Sequence, residues 1–150
     1  SQLIVQEGME KTQLRFECGR FISAPCGYYA MEVIDIKKNL GEYFGICRGG
    51  THHFRTPAAQ SHDHPFVVIP SQKAANTALA TSEQQNPCLE NQAISIVGQL
   101  CTPKDVLAMQ QHVKQLQIGD YVVFTLAGAY AWNISHQAFL MHPEPMFYFF

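Results

Sequence analysis

The chain has 150 residues, of which 47% are hydrophobic, and a formal net charge of −2 with an isoelectric point near 6.3. This length and composition are typical of one globular domain with its own core, and they exclude a disordered or fibrous chain. Because lysine and arginine form no cluster, we do not expect the protein to bind nucleic acids or anionic membranes. We expect its partners to be small molecules or proteins.

The cysteines, at positions 18, 26, 47, 88 and 101, form an odd set without a Cys-x-x-Cys pair. This pattern argues against a disulfide framework and against a structural zinc site, and it favours a reducing cytoplasm. No apolar run approaches the ~18–20 residues that a membrane-spanning helix needs. We therefore expect a cytoplasmic protein that does not insert into a membrane.

Alternating apolar and polar residues, bounded by glycine and asparagine turns, predict a mainly β chain. In chain order, strands are expected at residues 12–17, 28–37, 42–47, 66–69, 94–100, 121–126 and 145–150. Residues 1–11 have the pattern of a helix that ends near Gly8, and 71–92 form a long polar connection. About seven short strands with one or two short helices indicate a mainly β (α+β) domain, a barrel or a sandwich.

The stretch around Cys101 carries the strongest chemical signal. Thr102 has the character of a helix N-cap, Pro103 suits the first helical position, and Asp105 stands where a capping box has its acceptor. A thiol just before a helix N-terminus is favoured as the thiolate, which makes Cys101 the candidate catalytic residue. The alternative is a cysteine that only packs as a small hydrophobic side chain.

A second candidate site lies at the end of the first expected strand. Glu17 offers a carboxylate, Gly19 lets the backbone approach a ligand, and the guanidinium of Arg20 suits a phosphate. The alternative is a surface ion pair of Glu17 and Arg20 beside a turn. Tyr130 follows a strand end among small residues, and tyrosines in such places also occur in cores and interfaces.

Four histidines, His52, His53, His62 and His64, raise the hypothesis of a metal site. In an extended segment His62 and His64 would share a face, whereas His52 and His53 would point in opposite directions. No carboxylate follows at the spacing of a cupin-type site, so we favour solvated or substrate-facing histidines. Zinc or iron binding is the alternative.

Taken together, three motifs in this order resemble the C-terminal part of the fold-type III pyridoxal-phosphate decarboxylases, which include the diaminopimelate and ornithine decarboxylases. The family's Glu-x-Gly-Arg motif corresponds to residues 17–20, its cysteine motif to 101–105, and its closing signature to 119–130. The resemblance covers nearly the whole chain. It implies that residues 1–17 are the last helix and strand of an N-terminal α/β barrel and that 18–150 are the C-terminal β domain.

The resemblance also implies a role for each matching residue, with pyridoxal 5'-phosphate as the cofactor. Glu17 would pair with the pyridine nitrogen and keep it protonated, so that the ring acts as an electron sink. Gly19, Arg20 and Tyr130 would hold the cofactor phosphate. In a homodimer with shared active sites, Cys101 would reach into the site of the other subunit and return a proton to the carbon that has lost carbon dioxide.

Departures from the family pattern bear on the small-molecule substrate. Thr102 stands where diaminopimelate decarboxylases usually have an acidic residue, and residues 56–60 lack the arginine and tyrosine of the family's Arg-Pro-Ala-Leu-Tyr segment. Residues 49–57 and 128–136 look like the branch found in siderophore biosynthesis, whose members decarboxylate amino-acid units, some already joined to citrate. Thr102, Arg55 and His53 are the substrate-binding residues that this likeness suggests.

No stretch matches the family's Schiff-base lysine, its ring-stacking histidine or its phosphate-binding glycine cluster, which belong to the N-terminal barrel. We therefore expect the chain to be inactive without that barrel. Two alternatives stay open: an ordinary diaminopimelate decarboxylase of lysine biosynthesis, and a non-catalytic β module that binds a metal.

Overall fold

The computed structural model, which describes residues 11–61, 63–71 and 88–150, is built around one six-stranded sheet. The elements in chain order are α1 (Arg20–Ser23), a 3₁₀ turn (Ala24–Cys26), β1 (Tyr29–Asn39), β2 (Glu42–Cys47), α2 (Thr56–Gln60), β3 (Phe66–Ile69), β4 (Cys88–Val97), β5 (Val106–Gln117), β6 (Tyr121–Phe124) and two further 3₁₀ turns (Trp132–Ile134 and Phe139–Met141). The strand order is β3–β6–β1–β2–β4–β5. Neighbouring strands are antiparallel except β2 and β4, which are parallel.

The hairpin of β1 and β2 follows directly from its sequence. Met31 and Val33 are buried along β1 because alternate residues of a strand share a face, and a register shift between Val33 and Asp35 brings Ile36 to the same buried side. The turn between the strands has positive φ at both Leu40 (49°) and Gly41 (89°), as a two-residue hairpin turn requires. The expected strands at 28–37 and 42–47 are confirmed, with ends shifted by one or two residues.

The sheet curls until its two outer strands meet. β3 and β5, at opposite ends of the strand order, contact each other. Just before β3, Asp63 accepts hydrogen bonds from the backbone N–H of Met109 (2.7 Å) and from the side-chain amide of Gln111 (2.8 Å), both on β5. Closure of this kind protects strand edges, and it confirms the expected mainly β, barrel-like class.

The core fills the inside of this curled sheet, and Phe54 anchors the loop after β2 to it. Phe54 and Phe124 are fully buried, with ring centroids 5.9 Å apart, and Phe66 packs against Phe124 at 5.4 Å. Burial of each such ring stabilises the fold by about 1.5–3 kcal/mol. The loop after β2, which carries His52, His53 and Arg55, is thereby held in a fixed place.

Two expected strands are wrong. Residues 12–17 and 145–150 are irregular and largely exposed, and none of the described strands hydrogen-bonds to them. Alternation of apolar residues stabilises a strand only where a neighbouring strand and a core face are present. Their apolar side chains, such as those of Phe16 and Phe149, therefore stay exposed.

The expected helix after Cys101 is also wrong, because residues 106–117 form the long strand β5. Leu107, Val113 and Leu116 are buried there, and pairing with β4 outweighs the local capping signals. β4 begins at Cys88 rather than at residue 94, so the polar connection is shorter than expected. Residues 1–10, 62 and 72–87 lie outside the described part of the chain. In that described part, no helix is long and apolar enough to cross a membrane.

Candidate active site

Gly19, Arg20 and Tyr130 meet in space although they lie far apart in the sequence. A Cβ at Gly19, the residue before α1, would lie 3.3 Å from the phenol oxygen of Tyr130. The guanidinium carbon of Arg20 lies 5.8 Å from the centre of the Tyr130 ring, and Nη1 donates to Nε2 of His64 at 3.3 Å. Nη2 of Arg20 is buried and has no hydrogen-bond partner among the described residues. A buried guanidinium nitrogen without an acceptor fits a bound anion.

Backbone contacts fix this group, which we call the Arg20 cluster. The N–H of Gly128 donates to the carbonyl oxygen of Ala24 at 3.0 Å and so joins the chain after β6 to the turn after α1. Tyr130 has a left-handed backbone with φ of 52°, which is uncommon outside glycine. The hydroxyl of Thr56, on α2, donates to the carbonyl oxygen of Tyr130 and holds it in that conformation.

Glu17 lies in the exposed segment just before the Arg20 cluster. Its carboxylate makes no hydrogen bond or ion pair with any residue in the described ranges. The surface ion pair of Glu17 and Arg20, which was the alternative interpretation of this stretch, is therefore not formed. Both side chains remain available to a ligand, and their roles as cofactor-binding residues stay predictions.

Cys101 is exposed on the loop 98–105, between β4 and β5. The neighbouring Thr102 donates its backbone N–H to Leu100 at 2.8 Å, and its hydroxyl accepts from the backbone of Lys104 at 3.3 Å. The sequence argument for a thiolate at a helix N-terminus does not hold, because this loop leads into a strand. The thiol is nevertheless accessible, as a group that exchanges a proton with a substrate must be.

The carboxylate of Asp105 holds the cysteine loop against the loop after β2. Its Oδ1 accepts from the backbone N–H (2.6 Å) and the hydroxyl (2.9 Å) of Thr51, and its Oδ2 accepts from the backbone N–H of Leu100 (2.8 Å). Asp105 is 3% exposed. A Cβ at either Gly98 or Gly50 would collide with this carboxylate, so glycine is required at both positions. Asp105 thus joins the loop of Cys101 to the loop of His53 and Arg55.

The imidazole of His53 lies in a chain of hydrogen bonds. The N–H of Gly50 donates to the phenol oxygen of Tyr29 at 3.0 Å, and this phenol lies 2.9 Å from Nδ1 of His53. Nε2 of His53 lies 2.8 Å from the carbonyl oxygen of Pro143. A carbonyl can only accept, so Nε2 carries the proton and Nδ1 accepts from the phenol. Both ring nitrogens of His53 are thereby engaged, and its role in substrate binding stays a prediction.

Burial governs the acid–base behaviour behind this loop. It lowers the pKa of His53, and it lowers the pKa of His52 to about 4, with further contributions from the charges of His53, His142 and His136. Burial raises the pKa of the Cys47 thiol to about 12, and the charge of Asp105 adds to that shift. These histidines are therefore neutral near pH 7, and Cys47 is a protonated core residue rather than a nucleophile.

The histidines do not form a metal centre in the described part of the chain. The rings of His52 and His53 lie side by side, with centroids 3.8 Å apart, because residues 51–53 form a turn. The expectation that they point in opposite directions, which assumed an extended backbone, is wrong. Among the residues described, no group of three or more His, Cys, Asp or Glu is arranged to hold a metal ion. His62 lies outside those residues.

A cavity of about 760 Å³ opens beside the cysteine loop. Its lining comprises Thr51, Arg55, Pro57, Ala58, Ala59, Ser61, Asp63, Thr102, Pro103, Lys104, Val106, Leu107, Met109, His136 and Phe139. Two of the expected substrate-binding residues, Arg55 and Thr102, therefore face the same cavity. Volumes of this size are typical of small-molecule sites.

Several residues of the site were not singled out from the sequence. The role of Asp105 as a link between loops was not recognised, because its position suggested a helix cap. Gly50 and Gly98 were a better signal of this link, because the Asp105 carboxylate leaves no room for a Cβ at either position. His64 was considered only as a metal ligand, and no role was expected of Lys104 or His136, since distant strands and loops bring these residues to the site.

Comparison with known proteins identifies the family of the chain. A family model described as pyridoxal-dependent decarboxylase, C-terminal sheet domain, matches residues 20–128. The chain is 46% identical over 145 residues to the 2-[(L-alanin-3-ylcarbamoyl)methyl]-2-hydroxybutanedioate decarboxylase of Staphylococcus aureus, a match that covers 97% of this chain and 35% of that protein. It is 33% identical over 141 residues to the L-glutamyl-[BtrI acyl-carrier protein] decarboxylase of Niallia circulans, covering 91% of this chain and 30% of that protein.

Among solved structures, the fold resembles the crystal structure of diaminopimelate decarboxylase from Helicobacter pylori complexed with L-lysine. The TM-score is 0.70 at 23% sequence identity, and the match covers 93% of this chain and 31% of that one. At this identity the likeness concerns the fold. The chain spans about a third of the length of the curated relatives it matches.

Proposed function

Because this chain belongs to the pyridoxal-dependent decarboxylase family, as its C-terminal sheet domain, we propose that it forms one part of a carboxy-lyase active site. The complete enzyme would remove the α-carboxylate of an amino-acid-derived substrate, in the biosynthesis of a siderophore. Residues 18–150 would be the β domain and 1–17 the end of an α/β barrel that supplies the remaining catalytic groups. We propose a cytoplasmic homodimer in which each active site takes residues from both subunits.

The observation that carries this proposal is the Arg20 cluster. Gly19 leaves room beside the phenol of Tyr130, and the buried Nη2 of Arg20 has no acceptor within the described residues. A phosphate would supply that acceptor, and the phenol would add a further donor. These residues therefore fit the phosphate of pyridoxal 5'-phosphate, and we assign them to hold it.

When bound, pyridoxal 5'-phosphate supplies an electron-accepting ring that takes up the electrons of the bond to the departing carboxylate. We assign Glu17 to the ring nitrogen, where a carboxylate stabilises the protonated form. The position of Glu17, two residues before Gly19 and unpaired within the described ranges, supports this assignment.

We assign Cys101 to the proton that must return to the α-carbon after carbon dioxide has left. Its thiol is exposed, and the network of Asp105 fixes the loop that presents it. In the proposed dimer this thiol serves the cofactor of the other subunit, so that each site is complete only in the assembly. A positioned general acid of this kind contributes about 10²- to 10⁴-fold to the rate.

The names of the relatives support a proposal for the substrate class. The protein from Staphylococcus aureus is named for a substrate in which an alanine unit is joined through an amide to a hydroxybutanedioate, a group with two carboxylates. We propose a conjugate of the same class for this enzyme, with Arg55, Thr102 and His53 as substrate-binding residues. Diaminopimelate decarboxylation is less well supported, because the match to that enzyme is more distant and Thr102 lacks the charge to bind a distal ammonium.

Titration of the full-length protein with pyridoxal 5'-phosphate, followed by absorbance, tests this proposal. We expect saturable binding, and Arg20→Gln should weaken it at least tenfold because a charged hydrogen bond to phosphate is lost. Arg15→Gln is the matched control, since Arg15 is exposed on the same segment outside the cluster. Absence of binding to the wild-type protein, or equal binding by all three proteins, would contradict the assignment.

A further inference from the structure

The lining of the cavity beside the cysteine loop carries more positive than negative charge. Arg55 and Lys104 line it, and the side chains of both are without an ion-pair partner in the described part of the chain. The carboxylate on the same wall, Asp63, is already occupied by hydrogen bonds to β5. Two cations against one carboxylate give the cavity a net positive charge, which attracts an anionic ligand. We propose that this cavity binds the distal carboxylates of the substrate, and that Lys104 and His136 determine specificity together with Arg55.

This inference rests on the proposed function and adds to it the location of the distal group. Thr102 lines the cavity and directly follows Cys101, the proposed proton donor. A substrate with its α-carbon near the thiol can therefore extend into the cavity. The hydroxyls of Ser61 and Thr102 add hydrogen-bonding groups to the lining, as a hydroxydicarboxylate requires.

The basic residues come from three different loops that hydrogen bonds join together. The backbone N–H of Arg55 donates to the hydroxyl of Ser135 at 2.9 Å, next to His136. Lys104 lies in the turn between Thr102 and Asp105, where its backbone N–H donates to the hydroxyl of Thr102 at 3.3 Å. These links fix the backbone that carries the three side chains before a ligand arrives, which lowers the entropy cost of ordering the loops on binding.

The rest of the lining suits the carbon chain of such a substrate. The imidazole of His136 packs edge to face on Phe139, with ring centroids 5.0 Å apart and an interplanar angle of 89°, and this contact orients the ring. Pro57, Leu107 and Met109 add apolar surface. A substrate that ends in an ammonium group would be repelled by Lys104 and Arg55, whereas a dicarboxylate would be attracted.

Two substrates with the same reacting carbon test the inference in the full-length enzyme. One is the hydroxybutanedioate conjugate of L-2,3-diaminopropionate, and the other is the N3-acetyl derivative, which has no distal carboxylate. Lys104→Gln and His136→Gln should each lower kcat/KM for the conjugate about 10- to 100-fold, mainly through KM, and leave the acetyl substrate within about twofold. Lys114→Gln is the matched control, because Lys114 is exposed on β5 and does not line the cavity.

Binding of citrate, measured by calorimetry, gives a readout that does not depend on turnover. Citrate should bind the wild-type protein, and Lys104→Gln should weaken that binding about tenfold or more. If conjugate and acetyl substrate are decarboxylated equally well by all variants, the cavity assignment is wrong and the proposed function stands. If neither is decarboxylated but citrate binding depends on Lys104, the cavity assignment stands and the proposed function is wrong. Absence of both decarboxylation and citrate binding would overturn the two together.

Discussion

Replacement of Asp105 is expected to loosen the two loops that form the site. Asp105→Ala removes the acceptor of the buried backbone N–H groups of Thr51 and Leu100, which the structure places 2.6 and 2.8 Å from the carboxylate. Each buried donor left without a partner costs about 1–3 kcal/mol, so the loss of both should lower the local free energy of opening by about 2–6 kcal/mol. Asp105→Asn keeps one carbonyl acceptor and should cost about half as much.

Amide hydrogen exchange in the full-length protein, followed on peptides from residues 49–56 and 98–105, measures this local free energy. Exchange at Thr51 and Leu100 should accelerate at least thirtyfold in Asp105→Ala, as about 2 kcal/mol requires. Because the same loops carry Cys101 and Arg55, kcat should fall and KM should rise together. Asp35→Ala is the control, since Asp35 is exposed and, among the residues that the structure describes, its side chain bonds only to the adjacent N–H of Ile36. Unchanged protection and kinetics in Asp105→Ala would refute this account.

Three further predictions follow from the same geometry. When the nearly inactive Arg20→Gln and Cys101→Ala variants are mixed and exchange subunits, up to about a quarter of wild-type activity should return, because each mixed dimer holds one intact site. No recovery after verified exchange would argue against shared sites. Burial lowers the pKa of His52 to about 4, so as the pH falls from about 6.5 this histidine takes up its proton in the unfolded state before it does so in the folded state. The free energy of unfolding should therefore decrease by at most about 1.4 kcal/mol per pH unit between about pH 6.5 and about pH 4. His52→Asn should flatten that slope in denaturation measured across this pH range, and an unchanged slope would count against the assignment. Gly98→Ala should destabilise the protein by about 1–3 kcal/mol, because its Cβ would collide with the Asp105 carboxylate, and a denaturation midpoint like the wild type's would contradict this.

The sequence predicted the parts of the fold that local pattern determines. Alternation along β1 and the positive-φ turn at Gly41 identify the first hairpin, and the short apolar runs of β3 and β6 were placed almost to the residue. The stretch after Cys101 was misassigned because Thr102, Pro103 and Asp105 imitate a helix start. Only the distant partners of Asp105 and the pairing of β5 with β4 show why a strand forms instead.

The site residues that belong to a recognisable motif could be predicted, whereas those that only the strand order brings together could not. The stretch from Glu17 to Arg20 could be recognised through its resemblance to the family's Glu-x-Gly-Arg motif, and the structure brings Arg20 to Tyr130. Lys104 and His136 lie on segments whose meeting depends on the whole strand order, so no local pattern indicates that they line one cavity. The histidine pattern drew attention to His64 as a metal ligand, and it did not indicate the contact of His64 with Arg20. Likewise, the engagement of both ring nitrogens of His53 depends on Tyr29 and Pro143, which are remote in sequence.

Release of carbon dioxide by the full-length protein tests the central claim most directly. With pyridoxal 5'-phosphate and the hydroxybutanedioate conjugate, the wild-type protein and a Cys88→Ala control, which alters an exposed cysteine on β4, should release it at equal rates. Cys101→Ala should reduce kcat about 10²- to 10⁴-fold while cofactor binding is unchanged. No release by the wild-type protein, or equal kcat for the Cys101→Ala and Cys88→Ala variants, would contradict the role assigned to this chain.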